Sequence, residues 1–192
     1  MSTGVPDGPY AFKFSGYALW LLLASKDAQE VIDTMNPATP PWRAHSTLLY
    51  GMQLDESAAR QGFERLRAHL KEDMCRPISL TCSTPPTLFG DYPPFQMRVI
   101  GIAFDENRAV NELRQLAAAS FSQRASAHFA HSSLVYDWIG SARVNQSVVA
   151  TIRRRWPALR AGGSIKASAV ALVAMEDATV AQWDILDHIE LG

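Results

Sequence analysis

The sequence predicts an α+β fold of two lobes, and three observations predict it. A hexapeptide occurs twice, as His45-Ser46-Thr47-Leu48-Leu49-Tyr50 and as His131-Ser132-Ser133-Leu134-Val135-Tyr136, extended in character each time. Around it lies an approximate repeat of motif strand, helix and paired strands, once over residues 45–104 and again over residues 131–191. Strands paired after a helix suit α+β lobes, whereas a doubly wound parallel sheet alternates strand and helix. Gly162-Gly163-Ser164 leads into a strand and not a helix, so it fails as a nucleotide-binding loop.

The elements follow in order. Residues 1–14 read as a flexible arm, and residues 15–192 as one bilobal catalytic domain. The apolar run Tyr17–Ala24 predicts a buried strand, and Ala28, Val31, Ile32 and Met35 give Lys26–Met35 a helical stripe. Pro37, Pro40 and Pro41 end that helix and enforce an extended approach to the first motif strand, residues 43–52. Ala59, Phe63, Leu66 and Leu70 mark a helix over 55–73, with Asp55 or Ser57 as its cap. A strand is expected over 78–84, broken by Pro85-Pro86, with Thr87–Phe89 as a short continuation and 90–94 as a loop. Then come a strand over 96–104, a helix over 107–121, the second motif strand over 128–138 and a helix over 145–156. Strands over 164–175 and 182–191, joined by a short connection, close the chain.

At 192 residues and 47% hydrophobic, the chain can bury a sizeable core. A net charge of -1, from 18 basic and 19 acidic residues, argues against long nucleic acid as the partner and leaves a small anion open. Cys75 and Cys82 form neither a disulfide framework nor a metal motif; one bridge between them is conceivable, and a reduced pair is the expectation. The N-terminus lacks the basic start and apolar core of a signal peptide, and the run over 18–24 is too short to span a bilayer. A cytoplasmic monomer without membrane attachment is expected.

Histidine titrates near neutrality. Two imidazoles on either side of a phosphorus centre divide the work: one takes a proton from attacking water, the other protonates the leaving oxygen, each worth about 10²–10⁴-fold. Hydroxyls at Thr47 and Ser133, two positions after His45 and His131, are placed to donate to the non-bridging oxygens. In regular strands with a period of two, Tyr50 and Tyr136 face away from their histidines, and Tyr136 reaches the groove only through a bend. A metal would need a third ligand, and neither His69, His128 nor His188 offers a convincing spacing, so no metal and no cofactor are expected.

The two His-x-[Thr/Ser]-Leu signatures, with the aromatic strand Tyr17-Ala18-Leu19-Trp20 and the late Trp183, make the chain resemble the 2H phosphoesterase superfamily, and within it the cyclic phosphodiesterase-like proteins of plants and fungi. The resemblance spans residues 15–191, though only the two signatures are specific. It implies a bilobal fold, with two antiparallel sheets facing a central groove and helices outside. It implies metal-independent hydrolysis of small cyclic phosphodiesters: ADP-ribose 1'',2''-cyclic phosphate, a tRNA-splicing by-product, and nucleoside 2',3'-cyclic phosphates, giving the 1''- or 2'-phosphate. His45 and His131 are then the acid–base pair and Thr47 and Ser133 the phosphate grip. Sequence does not separate acid from base; His131 as base and His45 as acid is the arrangement slightly favoured. Ser133 stands where threonine is commoner, keeping the donor but losing the methyl that stiffens the rotamer.

Tyr136, Arg43, Trp20 and Phe89 are further candidate substrate contacts. The packing alternative is a lobe interface for Trp20 and Trp183 and a loop anchor for Phe89. Arg153, Arg154 and Arg155 suit a helix C-terminus and are read as structural. Two other functions compete: a 2H phosphodiesterase acting on oligonucleotide ends, and a non-catalytic nucleotide-binding protein.

Overall fold

Among the described residues, each α-helix begins on a side chain that replaces a missing helical acceptor. In the computed structural model, which describes residues 15–36, 42–73, 78–92, 97–125, 129–138, 145–175 and 183–192, these helices are α1 (Lys26–Met35), α2 (Glu56–Asp73), α3 (Arg108–Ser120) and α4 (Gln146–Arg155). Ser25 Oγ accepts from Ala28 N at 3.2 Å, Asp55 Oδ1 from Ala58 N at 2.7 Å, Asn107 Oδ1 from Val110 N at 3.2 Å and Asn145 Oδ1 from Ser147 N at 2.9 Å. Such caps are worth about 1 kcal/mol each. Of the two caps expected for α2, Asp55 is the one used.

The strands are β1 (Tyr17–Ala24), β2 (His45–Met52), β3 (Ser79–Thr81), β4 (Thr87–Tyr92), β5 (Met97–Ala103), β6 (His131–Trp138), β7 (Ser164–Ala174) and β8 (Asp184–Glu190). They form two antiparallel sheets. One holds five strands in the order β2-β1-β7-β3, with β8 also paired to β7; the other holds β4-β5-β6. β1 lies between β2 and β7, and its residues Tyr17 to Leu23 are buried on both faces.

The predicted α+β class holds, but the lobes are not the sequence halves. β4 and β5 follow the first motif and pair with the strand of the second; β7 and β8 follow the second motif and join the sheet of the first. The repeated strand–helix–strand–strand unit is thus split between sheets. Two element boundaries change with it. The strand expected over 78–84 shortens to Ser79–Thr81, with Cys82 bridging to Phe104. The short continuation after Pro85-Pro86 becomes β4 of the other sheet, taking in residues 90–92 that were expected as loop.

β2 and β6 approach each other where the sheets meet; α1 packs on β6, α3 on β2, α4 on β4, and α2 on both α3 and β7. A single hydrophobic cluster draws side chains from both sheets, among them Leu19, Leu21, Ile100 and Leu134. Arg153 donates to Pro86 O at 2.8 Å, tying α4 to the start of β4 and supporting a structural part for that arginine. Cys82 is a free, buried thiol, while Cys75 and the arm 1–14 lie outside the described residues. No helix among the described residues is long and apolar enough to cross a membrane.

Candidate active site

Both motif strands carry a β-bulge, at the same motif position. Along β2, Leu22 pairs with His45, Leu21 with Ser46 and Trp20 with Thr47, but Leu19 pairs with Leu49, leaving Leu48 as the extra residue. Along β6, Ala103 pairs with His131 and Gly101 with Ser133, but Ile100 pairs with Val135, leaving Leu134 extra. Paired residues share a face and successive residues alternate. His45 and Thr47 therefore share a face with Trp20 and Leu22, and His131 and Ser133 with Ala103 and Gly101. The bulge then reverses the alternation. Tyr136, paired with Val99, falls on the side of His131 and Ser133. The expectation that Tyr136 faces away from its histidine is corrected for this reason.

The imidazoles are held alike. His45 Nδ1 donates to the carbonyl of Arg43 at 2.7 Å, and His131 Nδ1 to that of Phe129 at 3.2 Å, two residues upstream in each case. A carbonyl only accepts, so Nδ1 carries the proton and Nε2 of each neutral ring is left as the proton acceptor. Their surroundings differ. His45 is 3% exposed and stacks on Trp20 with ring centroids 3.6 Å apart and planes 6° off parallel. Trp183 meets the same ring edge-on at 6.0 Å. His131 is half-exposed, with Phe89 edge-on at 5.8 Å and Phe129 tilted at 5.2 Å. Burial pushes the His45 pKa down to about 4; the carbonyl of Arg43 opposes the shift, and the charge of His131 adds to it. The two rings are thus near enough for one to feel the other's charge.

The remaining predicted residues divide. Tyr136 is buried, with its ring 5.3 Å from Trp42 and 6.1 Å from Trp183, so a side chain of the second motif reaches the aromatic group around His45. Phe89 lies beside His131 in the space that Gly101 leaves: a Cβ on Gly101 would stand 2.5 Å from the Phe89 ring and 2.6 Å from Ser132 O. Trp20, 2% exposed and covered by His45, backs the site and offers no face to a base, which corrects its reading as a substrate contact. The contribution of Arg43 that the structure records is its carbonyl; its side chain is exposed. Thr47 is half-buried and Ser133 buried, each on the face of its histidine.

No family model matches the chain, and no curated protein matches its sequence. Solved structures do match. Usb1 from Kluyveromyces marxianus superimposes with a TM-score of 0.55 at 13% identity, covering 91% of this chain and 96% of that one. LigT of E. coli, without ligand, gives 0.57 at 12% identity, covering 93% and 98%. The fold is that of the 2H phosphoesterases. LigT solved with 3'-AMP gives 0.52 at 14% identity, covering 93% and 99%.

Within this 2H fold, two aromatic neighbours of the histidines had no signal of their own in the sequence. Trp42 precedes Arg43 and packs on Tyr136. Phe129 is 55% exposed beside His131 and supplies the carbonyl that orients it. Phe129 and Arg43 both stand two residues before a motif histidine, so comparing the flanks of the two motifs is the sequence test that would have found the pair. Among the described residues no group of three potential metal ligands gathers; His188 faces Glu190 at 3.1 Å.

Proposed function

We propose that the protein is a metal-independent phosphodiesterase that opens small cyclic phosphodiesters, with nucleoside 2',3'-cyclic phosphates and ADP-ribose 1'',2''-cyclic phosphate as its substrate class. The observation that carries this reading is the matched tethering of His45 and His131 through Nδ1, which makes Nε2 the nitrogen of each ring that would handle the proton. The 2H fold supports it, as does the placement of Thr47 and Ser133 on the histidine faces.

The division of labour proposed here reverses the arrangement slightly favoured from sequence. Water attacks phosphorus and its proton passes to Nε2 of His45, which burial keeps neutral at physiological pH. The bond from phosphorus to the 3'-oxygen breaks, and Nε2–H of protonated His131 supplies that oxygen's proton, leaving a 2'-phosphate. His131 is the more open to solvent, which suits a group that must regain a proton after each turnover. Thr47 and Ser133 donate to the non-bridging oxygens as charge builds there.

A panel of cyclic phosphates, assayed with chelator and scored by product, tests the reading. Turnover is expected without metal, with the 2'-phosphate as the nucleoside product; no turnover on any member of the panel refutes it. A second reading, action on RNA ends, draws on the exposed rings of Phe129, beside His131, and Tyr50, 50% exposed beyond Thr47, as surfaces for a base. Usb1 has also been solved with uridine monophosphate. Faster turnover of a cyclic-ended oligonucleotide than of the mononucleotide would favour it.

A further inference from the structure

Each bulge in the site is braced by a helix that belongs to the other motif. In β6 the extra residue is Leu134, and its carbonyl accepts a hydrogen bond from Asn36 Nδ2 at 3.0 Å, across 98 positions of chain. Asn36 is the C-cap of α1 and is 2% exposed. The same Nδ2 donates to Ile32 O at 2.7 Å, and the Asn36 backbone N–H donates to that carbonyl at 3.2 Å. The amide is therefore fixed on its own helix and spends its second hydrogen on the bulge. In β2 the carbonyl of Thr47, bonded to the extra residue Leu48, accepts from Arg114 Nη2 at 3.4 Å. Arg114 lies in α3 and is buried. The bracing is crossed: α1 precedes the first motif and holds the second, while α3 precedes the second and holds the first.

A bulge removes backbone groups from the ladder, and a buried carbonyl without a donor costs free energy that folding avoids. If the Asn36 amide were absent, the nearest remedy would be to slide β6 by one residue and restore regular pairing. A one-residue slip moves every side chain beyond it to the other face. With Tyr136 kept on Val99, the slip falls on residues 131–133: Ser133 would move from Gly101 to Ile102 and turn with His131 to the other face, while His45 on the other sheet would keep its place. We infer that Asn36 is a positioning residue for the second half of the site, fixing the Leu134 bulge so that His131, Ser133 and Tyr136 present one face to phosphate, with Arg114 its counterpart on the Thr47–Leu48 peptide. This inference rests on the phosphodiesterase reading, and its test separates the two.

The full chain, labelled at histidine, is titrated with inorganic phosphate while the ring nitrogens are followed by NMR, and the rate on a 2',3'-cyclic nucleotide is measured in parallel. In the unmodified protein both His45 and His131 are expected to respond to phosphate. In Asn36→Ala the His45 response persists, the phosphate concentration needed to move His131 rises about tenfold, and KM rises with it. Asn36→Gln, which restores a donor, recovers part of both. If Asn36→Ala does not fold, Asn36→Ser is read the same way. An Asn36 variant whose His131 response and KM match the unmodified protein overturns the inference while leaving the phosphodiesterase reading intact. So does one that weakens both histidine responses equally. An unmodified protein whose histidines ignore phosphate overturns both.

Discussion

The two motifs share a backbone and differ in climate. Each holds its histidine by the carbonyl two residues upstream and each bulges at the third residue after that histidine. Yet His45 is closed in between Trp20 and Trp183, while His131 stands half-open among Phe89 and Phe129. Duplicated local geometry fixes where the proton-bearing nitrogens point. The unshared surroundings set how far each ring is closed off from water, and at His45 burial pushes the pKa down to about 4. The largest expected effect breaks the comparison outright. His45→Ala and His131→Ala should each lower turnover of a cyclic nucleotide by about 10²–10⁴-fold while thermal unfolding stays cooperative. A variant of either that keeps its rate removes that ring from the chemistry. The asymmetry should show in rescue: added imidazole enters the open His131 cavity and restores more rate there than at His45.

Much of this site was legible in the sequence because its signal is local. A histidine and a hydroxyl two positions apart share a strand face whatever the strand pairs with, so His45 with Thr47 and His131 with Ser133 were readable. The helices were readable too, from their apolar stripes and from caps such as Asp55. What was not legible is non-local. The bulges at Leu48 and Leu134 depend on the partner strands β1 and β5, so Tyr136 was assigned to the wrong face. The exchange of β4 and β5 for β7 and β8 depends on pairings between halves of the chain, and a repeat reports only what each half contains. For Trp20 the sequence left a substrate contact and a lobe interface both open; the stacking on His45 is a fact of two strands, not of one residue.

The next effect is on stability. The His45 pKa is about 4 when folded and 6.5 when free, so between those values the unfolded chain binds a proton that the folded chain refuses. Stability is therefore full above pH 6.5, falls as the pH drops towards 4, and loses nothing further from this group below that. A difference of this size corresponds to about 3 kcal/mol. His45→Gln should flatten the profile in that window, measured by denaturant midpoints at a series of pH values; an unchanged slope would mean that burial is not holding the ring neutral. The acid limb of kcat/KM should lie near 4 for the same reason, and Trp20→Ala, by opening the ring to water, should move it up towards 6.5.

The second motif has its own weak point, at Gly101. Its φ is not in the left-handed region, so the requirement is space and not backbone freedom: an added Cβ would overlap both the Phe89 ring and the carbonyl of Ser132. Backbone cannot give way as a flexible side chain can. Gly101→Ala should cost about 1–3 kcal/mol and displace Phe89 from His131, lowering turnover more than the stability loss accounts for. A full-rate, fully stable Gly101→Ala protein would mean that the close packing beside His131 is dispensable.

The smallest effect separates the faces within a motif. Ser46 and Ser132 sit between their histidine and the functional hydroxyl, so alternation turns them towards the core, and the buried hydroxyl of each has no hydrogen-bond partner. Such a hydroxyl gives up water for nothing, and its removal should be neutral or stabilising by up to about 1 kcal/mol. Ser46→Ala and Ser132→Ala should therefore keep the rate and hold or raise the melting temperature. Thr47→Ala and Ser133→Ala, one residue further on, should lose rate through KM and kcat together, because these residues share the strand face of their histidines. Adjacent positions carrying the same chemical group would then differ in outcome solely by the side of the strand they occupy. Loss of rate in Ser46→Ala or Ser132→Ala, at unchanged stability, would mean that the faces have been assigned the wrong way round.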